Sequence, residues 1–164
     1  FIHAGIVPEI ANKYQVKDIN SIVALFLFDK LNNSDKYNDL LINPSTSPYW
    51  TRLLGNLNRS VDKKTINNIC QTIFDSGILS NLLGTKESHP IKRIFIGHTP
   101  QMLKGLNKIC DNGHIYYMDV GVSQAFDAFD NVRSKYNFNG RSKSRNFPVA
   151  EILYDKKVVF KYYN

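Results

Sequence analysis

The chain has little sulfur and no long apolar run. Its 164 residues include two cysteines, Cys70 and Cys110. They make no CxxC pair and no spacing that suits zinc, so a cysteine-built zinc site is excluded. Two isolated thiols in a domain of this size are expected to stay reduced, which points to a cytoplasmic compartment. A single disulfide between them is the alternative. The longest apolar candidate, Ile22 to Phe28, is seven residues. About 18 are needed to span a bilayer, so no membrane partner is expected. No signal peptide, internal repeat, heptad pattern or low-complexity tract is visible. Acidic residues are also short: 14 against 21 Lys and Arg, for a net charge of +7 and a pI of about 9.4. A positive field favours anionic partners such as phosphoesters, nucleotides or nucleic acid. The lysines are scattered, and the charge alone does not choose among these.

What is present suits a packed domain. Hydrophobic residues make up 43% of a chain long enough for one sizeable core. The text opens on Phe1-Ile2-His3, an apolar run that reads as a strand end. A domain rarely begins there, so further sequence is expected upstream. Ala4-Gly5 ends that strand, and Ile6 to Pro8 reads as a turn. Helical spacing of Ile19, Ile22, Val23, Phe26 and Leu27 predicts a helix from Asp18 to Leu31, with Asp18 as N-cap. A short helix over Asp35–Leu41, then a loop over Asn43–Pro48, follow. Ile66, Ile69, Cys70, Ile73 and Phe74 predict another helix, capped by Ser60 or Asp62 and stopped at Gly77. Ile91 to Ile96 and His114 to Val120 read as strands. Phe147–Leu153 and Val158–Tyr163 read as a hairpin across Asp155-Lys156-Lys157. Elements that alternate early and strands that cluster late predict an α/β layered domain with a mixed sheet.

Four places carry chemistry. Phe-Ile-His-Ala-Gly puts His3 at the exit of a strand, with small residues making room. Ligands in open α/β sheets bind beyond the carboxyl ends of strands. On spacing alone His3 is equally readable as structural. Ile-Phe-Ile-Gly-His-Thr-Pro repeats the arrangement at His98, where Gly97 allows close backbone approach and Pro100 fixes the turn. Imidazole suits zinc, manganese or iron, but two histidines do not complete a metal site. Arg52 in Trp50-Thr51-Arg52 carries a fork that matches phosphate, or is an ordinary surface Arg. Trp50 would pack over that fork or fill the core. Asp119, at a strand end beside Val120-Gly121, would orient a ligating His or cap the next turn.

In order, "FIHAGIVP", "SPYWTRLLG", "IFIGHTPQ" and "IYYMDVGVSQAF" resemble the C-terminal half of a calcineurin-like metallophosphoesterase. The likeness is greatest to the bacterial-type serine/threonine phosphoprotein phosphatases, including the Shewanella-like and bacteriophage-type enzymes. It spans residues 1–126 and rests on about 35 of them. It implies an α/β/β/α sandwich with mixed sheets, of which residues 1–164 would be the C-terminal portion. It also implies that His3 and His98 bind the same metal and that Arg52 grips the substrate phosphate. The family uses two divalent ions (Mn, Fe or Zn), with at most one partial site in this chain. Its GDxHG, GDxxDRG and GNHE motifs do not occur here and belong upstream. The expected activity is metal-assisted phosphomonoester hydrolysis by the intact protein, on phosphorylated protein. A nucleotide or dinucleoside polyphosphate hydrolase is the alternative. A third reading is a non-catalytic anion-binding module using Arg141, Lys143 and Arg145; nucleic acid is not the expected partner, since no recognised motif accompanies that cluster.

Overall fold

A computed structural model describes residues 1–75, 77–84, 91–101, 105–111, 114–121 and 147–163. The first half is helical. Helix α1 spans Pro8–Lys13 and α2 spans Val16–Leu27; a 3₁₀ turn, Ser34–Tyr37, leads into α3, Asn38–Leu41. Helices α4, Leu53–Ser60, α5, Lys63–Asp75, and α6, Ile78–Leu83, follow. Strands β1, Arg93–Ile96, β2, Asn107–Ile109, and β3, His114–Tyr117, form a sheet ordered β1-β3-β2. The β1–β3 pairing is parallel and the β2–β3 pairing antiparallel. The class is therefore α/β with a mixed sheet, as the pattern of elements predicts.

Local chemistry explains the starts and stops. The turn expected at Ile6–Pro8 instead opens α1, because proline at the first helical position lacks only a donor that would be orphaned anyway. Helix α2 starts two residues before the expected cap. Gln15 is the N-cap, and Asp18 closes a capping box by accepting from the Gln15 backbone N–H at 3.2 Å. It ends at Leu27 rather than Leu31, where Asp29 turns left-handed at φ 53°. Asp62, not Ser60, caps α5: it accepts from the Thr65 N–H at 3.0 Å and from the Thr65 hydroxyl at 2.6 Å. Gly77, at φ 71°, separates α5 from a further helix, α6, that the periodicity does not predict.

The sheet has two unlike faces, since alternate residues point opposite ways. Ile94, Ile96, Ile115 and Tyr117 join the helical core around Ile6, Ile10, Leu40, Leu54, Leu57 and Ile73. Burying such a side chain is worth about 1.5–3 kcal/mol. Phe95 and Tyr116, on the other face, stack at 4.7 Å, and the Tyr116 ring meets Phe160 edge-on at 6.0 Å. Phe160 belongs to the predicted hairpin, β4, Phe147–Ile152, paired antiparallel with β5, Val158–Tyr163.

The expectation of two free thiols is corrected. Cys70 on α5 and Cys110 after β2 form a disulfide across 40 residues, with Cα atoms 5.5 Å apart. A separation of 40 says nothing of proximity in a chain; the packing of α5 over the sheet edge creates it. Among the described residues no helix is long and apolar enough to cross a membrane.

Candidate functional site

Three segments run parallel and end at one edge of the sheet. Ile2 bridges Ile96 in parallel, and Ile96 pairs with Tyr117 of β3. His3, His98 and Asp119 therefore leave the sheet on the same side, just beyond the carboxyl ends of their strands. The ladder continues past the strands. The Gly97 N–H donates to the His3 carbonyl at 2.7 Å, and the Met118 N–H to the Ile96 carbonyl at 2.8 Å. A Cβ on Gly97 would lie 3.4 Å from the His3 carbonyl oxygen, an ordinary contact, so this approach of the two backbones does not require the glycine expected for it.

His3 and His98 meet. His3 Nε2 lies 3.2 Å from His98 Nδ1, with ring centroids 4.9 Å apart and planes tilted by 55°. Two nitrogens about 2.0–2.1 Å from one ion, at angles between octahedral and tetrahedral, stand about 2.9–3.4 Å apart. The separation of the pair is that of a hydrogen bond between the two rings, and it also falls within this range. His98 sits at φ 58°, in the left-handed region that non-glycine residues rarely occupy. The Thr99 N–H donates back to the Gly97 carbonyl at 2.6 Å across it, a γ-turn of the strained kind. Its imidazole titrates below the ordinary range. Partial burial is the main cause, followed by the nearby Arg52 guanidinium and His3; a hydrogen bond to the Trp50 main chain and the Asp119 charge oppose them. The neutral imidazole, the form that ligates metal, is favoured.

Arg52 is exposed, and its Nη1 donates to the His98 carbonyl at 3.2 Å. That bond brings a phosphate-binding fork beside the histidine pair. The segment carrying it is fixed by its neighbours. Buried Thr51 donates its hydroxyl to the Ser45 carbonyl at 3.0 Å and accepts from the Leu53 N–H at 3.2 Å, while the Ala4 N–H donates to the Pro48 carbonyl at 2.8 Å. Trp50 neither stacks on Arg52 nor enters the core. It is 50% exposed and meets the His98 ring edge-on at 5.8 Å. Asp119 resolves towards the cap: its Oδ1 accepts from the Gly121 N–H at 3.1 Å, and it reaches His98 through its charge rather than a hydrogen bond.

Two residues that spacing does not single out hold the site together. Tyr117 is buried and donates its hydroxyl to the Leu54 carbonyl at 2.8 Å, which ties β3 to α4; burial pushes its phenol well up. Gln101 is 2% exposed and joins the His98 turn to the same helix. A polar residue inside the "GHTPQ" text is the only trace of it in the sequence. His114 is structural, with Nδ1 at 2.7 Å from the Cys110 carbonyl. Among the described residues no three His, Cys, Asp or Glu side chains cluster to hold a metal by themselves. Arg141, Lys143 and Arg145 lie outside the described residues.

Comparison with known proteins adds one relative. An uncharacterized protein of Acanthamoeba polyphaga mimivirus is 30% identical over 152 residues, covering 79% of this chain and 55% of the relative. The chain thus spans about half the length of the curated relative it matches. No family model and no solved structure matches the chain.

Proposed function

We propose that this chain is the C-terminal portion of a calcineurin-like metallophosphoesterase domain, and that the intact polypeptide hydrolyses phosphomonoesters, with phosphorylated serine or threonine in proteins as substrate. The observation that carries the reading is the 3.2 Å approach of His3 Nε2 to His98 Nδ1 at parallel strand ends, with Arg52 bonded to the same turn. The mixed sheet would be part of the family's sandwich, with the remaining ligands supplied from upstream.

In this reading His3 and His98 would help to hold a divalent ion, manganese, iron or zinc. Such ions, when bound, would supply positive charge to the phosphoryl group and lower the pKa of a water. Arg52 binds the phosphate from the side, offsetting charge that builds on its oxygens. Its bond to the His98 carbonyl sets where that guanidinium stands relative to the imidazoles. The left-handed His98 backbone carries an imidazole that lies 3.2 Å from that of His3.

The test is manganese-dependent hydrolysis of an aryl phosphate by the intact polypeptide. His98→Ala should lower kcat/KM by about 10³-fold or more, since a metal ligand is lost. Activity that survives this change would overturn the assignment. A phosphopeptide and a dinucleoside polyphosphate, compared as substrates, separate the protein phosphatase from the nucleotide hydrolase.

A further inference from the structure

The turn that carries His98 and the helix that begins after Arg52 are separate elements, and their relative placement must be set by something. The Arg52–His98 bond ends on an exposed guanidinium and is a poor anchor by itself. Beneath it the contact is buried and crowded. Thr99 is 1% exposed, and a Cβ on Gly55 would come within 2.2 Å of its hydroxyl oxygen. The turn and α4 therefore touch backbone to side chain, with no room to slide closer.

Gln101 closes this contact. Its Nε2 donates to the Thr99 carbonyl at 2.8 Å and to the Gly55 carbonyl at 3.1 Å, so one amide bridges turn and helix. Its backbone N–H donates to the Asp119 carbonyl at 2.7 Å, and its carbonyl accepts from the Gly105 N–H at 2.8 Å. One residue thus connects the His98 turn, the Arg52 helix, the Asp119 strand end and the segment entering β2. Both contacts of the Gln101 amide are made in a buried place, where an amide donor left unmet is costly.

From this we infer that Gln101 is a positioning residue: it holds His98 in its left-handed turn and sets the distance from the imidazole pair to the Arg52 guanidinium. The inference rests on the proposed metal and phosphate roles of His98 and Arg52. Gln101 touches neither metal nor substrate. It acts through the geometry of the two residues that do.

The experiment uses the intact polypeptide and two readouts. The first is calorimetric titration with manganese alone. Gln101→Met keeps shape and volume but removes both donors, and should weaken manganese binding at least tenfold. Thr99→Val, in the same buried contact, removes a hydroxyl that has no hydrogen-bond partner among the described residues and should leave binding within threefold. The second readout is a double-mutant cycle on aryl phosphate hydrolysis. With manganese held saturating for every variant, Gln101→Met should cost at least tenfold in kcat/KM in the native background and less than threefold beside Arg52→Ala, because the distance it sets between imidazoles and guanidinium then no longer matters. Equal losses in both backgrounds, or unchanged manganese affinity in a folded Gln101→Met, would overturn the inference. Should Gln101→Met fail to fold, Gln101→Asn carries the test: its shorter amide reaches one carbonyl, and an intermediate loss in both readouts is required. If the native protein binds manganese in a Gln101-dependent way yet hydrolyses no phosphoester, the proposed function fails and the positioning role stands.

Discussion

Arginine 52 is more than a positive charge at its position. Its guanidinium spends Nη1 on the His98 carbonyl and keeps a planar fork beside the imidazoles. Lysine offers a point charge on a flexible stem and cannot reproduce a two-pronged grip. Arg52→Lys in the intact polypeptide should raise KM for an aryl phosphate by about tenfold and leave manganese affinity unchanged; steady-state kinetics beside a metal titration checks both. Gly55 is a second residue whose role runs against its propensity. Alanine is favoured over glycine inside a helix by about 1 kcal/mol. Here the added methyl would meet Thr99 Oγ1 at 2.2 Å and Thr99 Cβ at 2.4 Å. Gly55→Ala should therefore destabilise, by about 1–3 kcal/mol as in overpacked cores, measured as a lower urea midpoint. A higher midpoint would mean that the turn can retreat from α4.

At the scale of elements, what could be read in advance depended on how local the cause was. The β4–β5 hairpin was legible because alternation and the Asp155-Lys156-Lys157 turn lie within a few residues; Asp155 Oδ1 accepts the Lys157 N–H at 3.0 Å, and Lys156 takes the positive φ of 63°. Helix α5 was legible for the same reason, through Asp62 and the spacing of Ile66, Ile69 and Ile73. Helix α4 was hidden, because its text holds a glycine and two asparagines and its stability comes from Leu54 and Leu57 in the core. Strand β2 is three residues long and pairs with β3, which lies further along the chain. The Asp62 cap has a pH consequence. Its carboxyl is held below the ordinary value of 3.8, chiefly by the Thr65 hydroxyl and then by the Thr65 N–H. As pH falls the unfolded chain takes up the proton first, so the stabilisation is present above about pH 4 and is lost as pH drops through the folded-state value. Asp62→Asn can still cap but cannot titrate. Its urea midpoint should fall less steeply than the native one between pH 5 and pH 2.

For the whole molecule, the Cys70–Cys110 disulfide sets a stability term that no single element holds. Closing a loop of 40 residues restricts the unfolded chain by about 4 kcal/mol on the entropic model. Reduction should lower the thermal midpoint by several degrees, and Cys70→Ser should show the same loss without reductant. Identical midpoints in oxidised and reduced samples would contradict this. The bridge joins α5 to the residue after β2, on the sheet edge away from Ile2, so His3 and His98 should keep their spacing when it is cut.

The chemical repertoire was determined by the sequence alone. Two histidines at strand exits, small residues beside them, and an arginine after a proline-containing loop are local patterns, and local sterics and hydrogen bonding dictate them. The tertiary structure decided which of those groups meet. Parallel alignment of Ile2 with Ile96 brought His3 to His98 over a separation of 95 residues. The same packing took two cysteines out of the thiol pool and placed Gln101 as the link between helix and turn. Such outcomes depend on contacts between distant segments, whose free energy appears only once the core is closed, and no window of sequence contains them.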